Sequence, residues 1–137
     1  DSGTGETHPN ESFRAWLKRA KSNLMLAKQG HHRCVQLEDL CFQCQQAAEK
    51  ALKAIIIQRG LAFRKSHDIE ELLFVIEQSG VTIPDNVKQA VVLTEHAVTT
   101  RYPGFYEPVT EEEYREALSI AEILLVWVTE LVETNHS

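Results

Sequence analysis

The stretch Cys41–Gly60, CFQCQQAAEKALKAIIIQRG, decides the fold. It opens with C-x-x-C, a spacing shared by zinc sites and thiol redox enzymes, and then runs as good helix formers up to Gly60. Zinc needs about four ligands, usually brought together as two pairs. Cys41 and Cys44 make one pair, and the chain holds no second C-x-x-C and no H-x-x-x-H. Redox pairs usually start a helix, where the dipole lowers the thiol pKa; this pair falls inside one. Leu37, Cys41, Cys44, Ala48, Ala51, Leu52 and Ile55 recur at intervals of three and four, the period of one helical face. The thiols therefore read as small hydrophobes in a core helix of about residues 33–59, with Gly60 as its stop. No metal site and no cofactor is expected.

Working outward, the same period places further helices on either side. Phe13, Trp16, Leu17, Ala20, Leu24 and Ala27 share one face of a helix that starts at Ser12 and ends before Gly30. Ser66 is the expected cap of a third helix, with Asp68 in its first turn and Ile69, Leu72, Leu73 and Ile76 buried. The Pro-Asp signal at 84–85 starts a fourth helix, about 86–100, with Val87, Ala90, Val91, Thr94, Ala97 and Val98 inward. A fifth opens on a capping box, Thr110 with Glu113, and buries Tyr114, Leu118, Ala121, Leu125, Val128 and Val132. No run reads as a strand. The expected fold is all-α, an up-and-down bundle of about five helices in one domain, 12–135, preceded by a flexible polar tail, 1–11.

Composition narrows the function classes. The longest apolar run, Ile123–Val128, is too short to cross a bilayer. With three cysteines and no visible secretory leader, a cytoplasmic protein is expected. The net charge of −6 conceals a division: residues 12–67 carry eleven Lys/Arg against three acids, while 68–137 carry three against fourteen. One half is thus basic enough to meet a nucleotide or nucleic acid.

Three pieces of the sequence carry a resemblance: the Gln-Gln-Ala-Ala-Glu-Lys-Ala-Leu-Lys-Ala run at 45–54, His67-Asp68-Ile69, and Arg101-Tyr102-Pro103-Gly104. In this order and spacing the chain resembles the HEPN domain family, from about Ser12 to Val132. The resemblance implies a helical bundle, commonly a homodimer, that works with a minimal nucleotidyltransferase, as in toxin–antitoxin or stress-type systems. Many members resemble metal-independent ribonucleases carrying Arg and, four to six residues later, His. This chain departs from that pattern: Arg59 and His67 are separated by seven residues, and His96 precedes Arg101.

Candidate ligand-binding residues fall in three places. Lys50 and Lys53 lie on the second helix, where Gln45, Glu49 and Lys53 form an i, i+4, i+8 ladder; by residue type it reads as a solvated face, while inside a bundle such a ladder would bind phosphate or hold a partner, a reading the resemblance raises to equal weight. Arg64, Lys65 and His67 precede a helix N-terminus, an arrangement that attracts phosphate. Arg101, Tyr102 and Tyr106 combine an arginine with aromatics around a turn, a pairing suited to a base and its phosphate. If catalysis occurs, His67, His96 and Arg101 are the candidates for base and phosphate stabiliser. A basic stripe on the first helix, Arg14, Lys18, Lys21 and Lys28, faces an acidic last helix in charge, and could track RNA. The leading expectation is a nucleotide- or RNA-binding module; a metal-independent ribonuclease and a non-catalytic assembly module are the alternatives.

Overall fold

In the computed structural model, residues 9–30, 35–62, 68–93 and 109–134 are described. Everything in them is organised around one helix, α2 (Leu37–Arg59). Residues 51–56 are buried without interruption, so α2 has no solvated side over its central turns. A helix enclosed all round needs neighbours on every face. These are α1 (Pro9–Ala27), α3 (Ile69–Gln78) and α5 (Glu111–Thr134), while the short α4 (Asp85–Lys88) packs on α5. No strand occurs among the described residues.

Side-chain ties fix the directions. Val109 N–H donates to Glu38 Oε2 at 3.2 Å at one end of the bundle, and Gln58 Nε2 donates to the Val132 carbonyl at 2.9 Å at the other. Helices α2 and α5 therefore run parallel. The Tyr114 hydroxyl donates to the Ala27 carbonyl at 2.6 Å, joining the end of α1 to the start of α5, so α1 runs antiparallel to both. The all-α up-and-down bundle read from periodicity is the fold.

The expected stripes are buried as read on α1, α3 and α5, apart from Trp16 and Leu118, which are half-buried. The capping box closes in both directions: Glu113 N–H donates to Thr110 Oγ1 at 3.1 Å, and Thr110 N–H to Glu113 Oε1 at 2.9 Å. Gly60 ends α2 in the left-handed region, φ 65°, and its N–H closes onto the last turn.

Four boundaries are corrected. Helix α1 starts at Pro9, three residues before the expected Ser12 and inside the stretch expected as a tail. Helix α2 starts at Leu37, four residues later than expected. Gln36 is extended, and Glu38 and Asp39 mark the true first turn, where the dipole favours anions. The cap of α3 is Asp68, not Ser66: its extended backbone lets the carboxylate accept the Glu70 N–H at 3.0 Å. The fourth helix breaks after Lys88. A turn at 89–90 follows, with Ala90 N–H donating to the Val87 carbonyl at 3.0 Å, and helix resumes at 91–93. Val87, Ala90 and Leu93, three apart, are then the buried face. Leu93 thus joins the core, and Val91 only borders it. Thr94, Ala97 and Val98 lie outside the described residues.

Candidate functional site

The ladder on α2 is the most unusual feature of the interior. Gln45, Glu49 and Lys53 are 3%, 2% and 8% exposed, so the reading of this row as a solvated face is overturned. The reason is tertiary. These positions look solvated on an isolated helix, but α2 is packed between other helices, and Trp16 of α1 lies over Lys53.

The row is a directed chain of hydrogen bonds. Gln46 Nε2 donates to Gln45 Oε1 at 2.9 Å, and Gln45 Nε2 to Glu49 Oε1 at 2.9 Å. Lys53 Nζ closes it on Glu49 Oε2 at 2.8 Å, so both carboxylate oxygens are engaged. The Lys53 ammonium also lies 5.4 Å from the centroid of the Trp16 ring on α1, within cation–π range. Burying an ion pair is expensive, because each charge leaves water; good geometry and further hydrogen bonds offset that cost only in part. An apolar pair would fill this space at no such cost.

Beside the row, one turn round the helix, Lys50 Nζ donates to Asn23 Oδ1 at 3.0 Å, and Asn23 Nδ2 donates to Gln43 Oε1 at 2.6 Å. Trp16 and Asn23 were not singled out as site residues. A signal was present: Trp16, Ala20, Asn23 and Ala27 fall at i, i+4, i+7 and i+11, so Asn23 is a polar residue inside an apolar stripe. Lys50 and Lys53 are thus brought together as neighbouring cations on α2, one partly exposed and one enclosed. Arg64, Lys65, His67, His96, Arg101, Tyr102 and Tyr106 lie outside the described residues.

The thiols are core residues. Cys41 and Cys44 are fully buried and reduced. Burial pushes Cys41 up to about 11 and Cys44 up to about 12, with nearby carboxylates and the other thiol adding to the shift. Such groups are inert as nucleophiles near neutral pH. Cys34 lies outside the described residues.

The family model for the HEPN domain matches residues 13–131, which include the whole buried row and nearly all of the packing just described. The chain belongs to the HEPN domain family. This HEPN domain is similar to the protein named "Putative toxin MJ1304" of Methanocaldococcus jannaschii, with 28% identity over 141 residues, 88% of each chain. Among solved structures it resembles ST0689, described as an archaeal HEPN homologue. That match has a TM-score of 0.70 and 29% identity, over 88% of this chain and 97% of that one. A HEPN domain protein of Thermotoga maritima matches with a TM-score of 0.53 and 21% identity, over 93% and 98% of the two chains, and so shares the fold. No helix among the described residues is long and apolar enough to cross a membrane.

Proposed function

We propose that this HEPN domain is the nucleotide- or RNA-binding member of a toxin–antitoxin-type pair, acting as a homodimer with a minimal nucleotidyltransferase as its partner. The observation that carries the reading is the buried Gln45–Glu49–Lys53 row with Lys50 beside it. Polar groups held at a cost to stability mark functional sites more often than packing does. Lys50 offers a partly exposed cation to phosphate, and Lys53 a second one held in place by Glu49 and Trp16. The name of the Methanocaldococcus relative supports a toxin-type role. In this reading Arg64, Lys65, His67, Arg101, Tyr102 and Tyr106 complete the ligand contacts.

The test is calorimetric titration of ATP at low and moderate salt, on the wild type and on Lys50→Ala, Arg64→Ala and Arg101→Ala. Micromolar binding that weakens with salt and with the substitutions is the expected result. Silence at millimolar ATP would refute direct nucleotide binding. Co-expression with a minimal nucleotidyltransferase and co-purification tests the partner separately.

A further inference from the structure

A second feature of the surface lies away from the α2 row. Between the N-terminal half of α1 and the last turn of α5 runs a cleft of about 500 Å³, lined by Phe13, Arg14, Leu17, Lys18, Lys21, Val132 and Glu133. Its charge is one-sided, with three cations against one carboxylate.

Most charged contacts on this chain are matched. Lys28 meets Glu122 at 2.9 Å, Lys88 meets Glu77 at 2.9 Å and Arg115 meets Glu111 at 3.6 Å. Arg14, Lys18 and Lys21 have no carboxylate within salt-bridge distance among the described residues. They are also each other's neighbours, at i, i+4 and i+7, and like charges at those spacings disfavour the helix that carries them. Among the described residues the row is uncompensated, and an anion in the cleft would compensate it.

The geometry points to a polyanion. At ~1.5 Å rise per residue the cations step along α1 by about 6 and about 4.5 Å, which sets one cation per turn against a regularly charged strand. Arg14 lies with its guanidinium carbon 5.4 Å from the Phe13 ring centroid, and its planar guanidinium can pair a phosphate through two parallel hydrogen bonds. An acidic polypeptide would match the charge, but a protein partner also needs a buried apolar anchor. The floor offers little, since Phe13 is 3% and Val132 1% exposed. A positively charged groove that tracks one backbone is the usual platform for a single strand.

We propose that this cleft is a binding track for the phosphate backbone of single-stranded RNA, with Arg14, Lys18 and Lys21 each pairing one phosphate. The proposal rests on the RNA-binding reading of the domain and adds a second contact surface to it.

The test compares two adjacent residues. Lys18 lines the cleft; Arg19, also exposed, does not. Binding of a labelled single-stranded RNA is followed by fluorescence anisotropy over a salt series, for the wild type, Lys18→Gln, Arg19→Gln and the triple Arg14→Gln/Lys18→Gln/Lys21→Gln. The slope of log K against log salt is expected to fall by about 0.7 for Lys18→Gln and by about 2 for the triple variant, with Arg19→Gln unchanged. Equal losses for Lys18→Gln and Arg19→Gln would overturn the proposal in favour of a diffuse charge effect. So would a triple variant that melts earlier yet binds RNA with the wild-type slope, which would leave the cations as helix-end stabilisers of α5. Binding of poly-glutamate but not RNA would overturn it in favour of a protein partner. The ATP titration on the Lys50, Arg64 and Arg101 variants reads the other site, so either reading can fail while the other stands.

Discussion

Lys53→Met separates a buried ion pair from a surface one. The ammonium and carboxylate lie 2.8 Å apart, with side chains 9% and 2% exposed. An exposed i,i+4 pair is worth only about 0.3–0.5 kcal/mol. Removing one partner of a buried pair costs about 3–5 kcal/mol, because the remaining charge stays in a poorly solvated place. Against a total of about 5–15 kcal/mol for a domain, that loss is large enough to read in any denaturation curve. Glu49→Gln leaves Lys53 as the stranded charge and is expected to fall in the same range. The double variant Glu49→Gln/Lys53→Met strands no charge and keeps an acceptor for Gln45. Its stability is expected within about 2 kcal/mol of the wild type, since replacing a buried pair with uncharged groups is often near neutral. Urea denaturation of the four proteins closes a double-mutant cycle. Single losses below about 1 kcal/mol, the range of a surface pair, would refute the argument. Strict additivity would refute it too. The double variant also tests function: a folded protein that no longer binds ATP would tie the row to the ligand.

Four further expectations follow from particular contacts. Cys41 and Cys44 should resist a thiol reagent at pH 8 in the native protein and react in denaturant; rapid native labelling of both would contradict their burial. Their native pKa values of about 11 and about 12 lie above the ordinary 9.0, so the native state holds protons that the unfolded chain gives up. Stability should accordingly fall as pH rises from about 9 toward 11 and 12, and Cys41→Ala/Cys44→Ala should flatten that fall. Tyr114→Phe removes the donor to the Ala27 carbonyl and should cost about 1–3 kcal/mol by thermal or urea denaturation, since that carbonyl is left unpaired where α1 ends. Thr110→Ala opens the capping box and should cost about 1 kcal/mol, with faster amide exchange confined to the first turn of α5.

Much of this bundle was legible in the chain because its outer helices are amphipathic. On α1, α3 and α5 one stripe meets the core and the other meets water, so periodicity and burial agree at all expected positions but Trp16 and Leu118. Caps and stops were legible for the same local reason: Thr110–Glu113 and Gly60 act through bonds within a few residues of themselves. What depended on neighbours was not. Whether Gln45, Glu49 and Lys53 face water is decided by the elements packed around α2, and an i, i+4, i+8 polar row looks the same in either case. Val87, Ala90 and Leu93 share the buried side across a turn at 89–90, an interruption that the period of one continuous helix does not reveal. The cleft between α1 and α5 belongs to neither helix alone: its cations are written in the sequence, but their lack of carboxylate partners among the described residues arises from which residues of α5 are brought beside them. The sequence by itself determined the helices and the family, because local bonds and one-sided burial leave a period in the chain. Tertiary structure alone decided which polar residues are buried, because burial of a given side chain is set by elements distant in sequence.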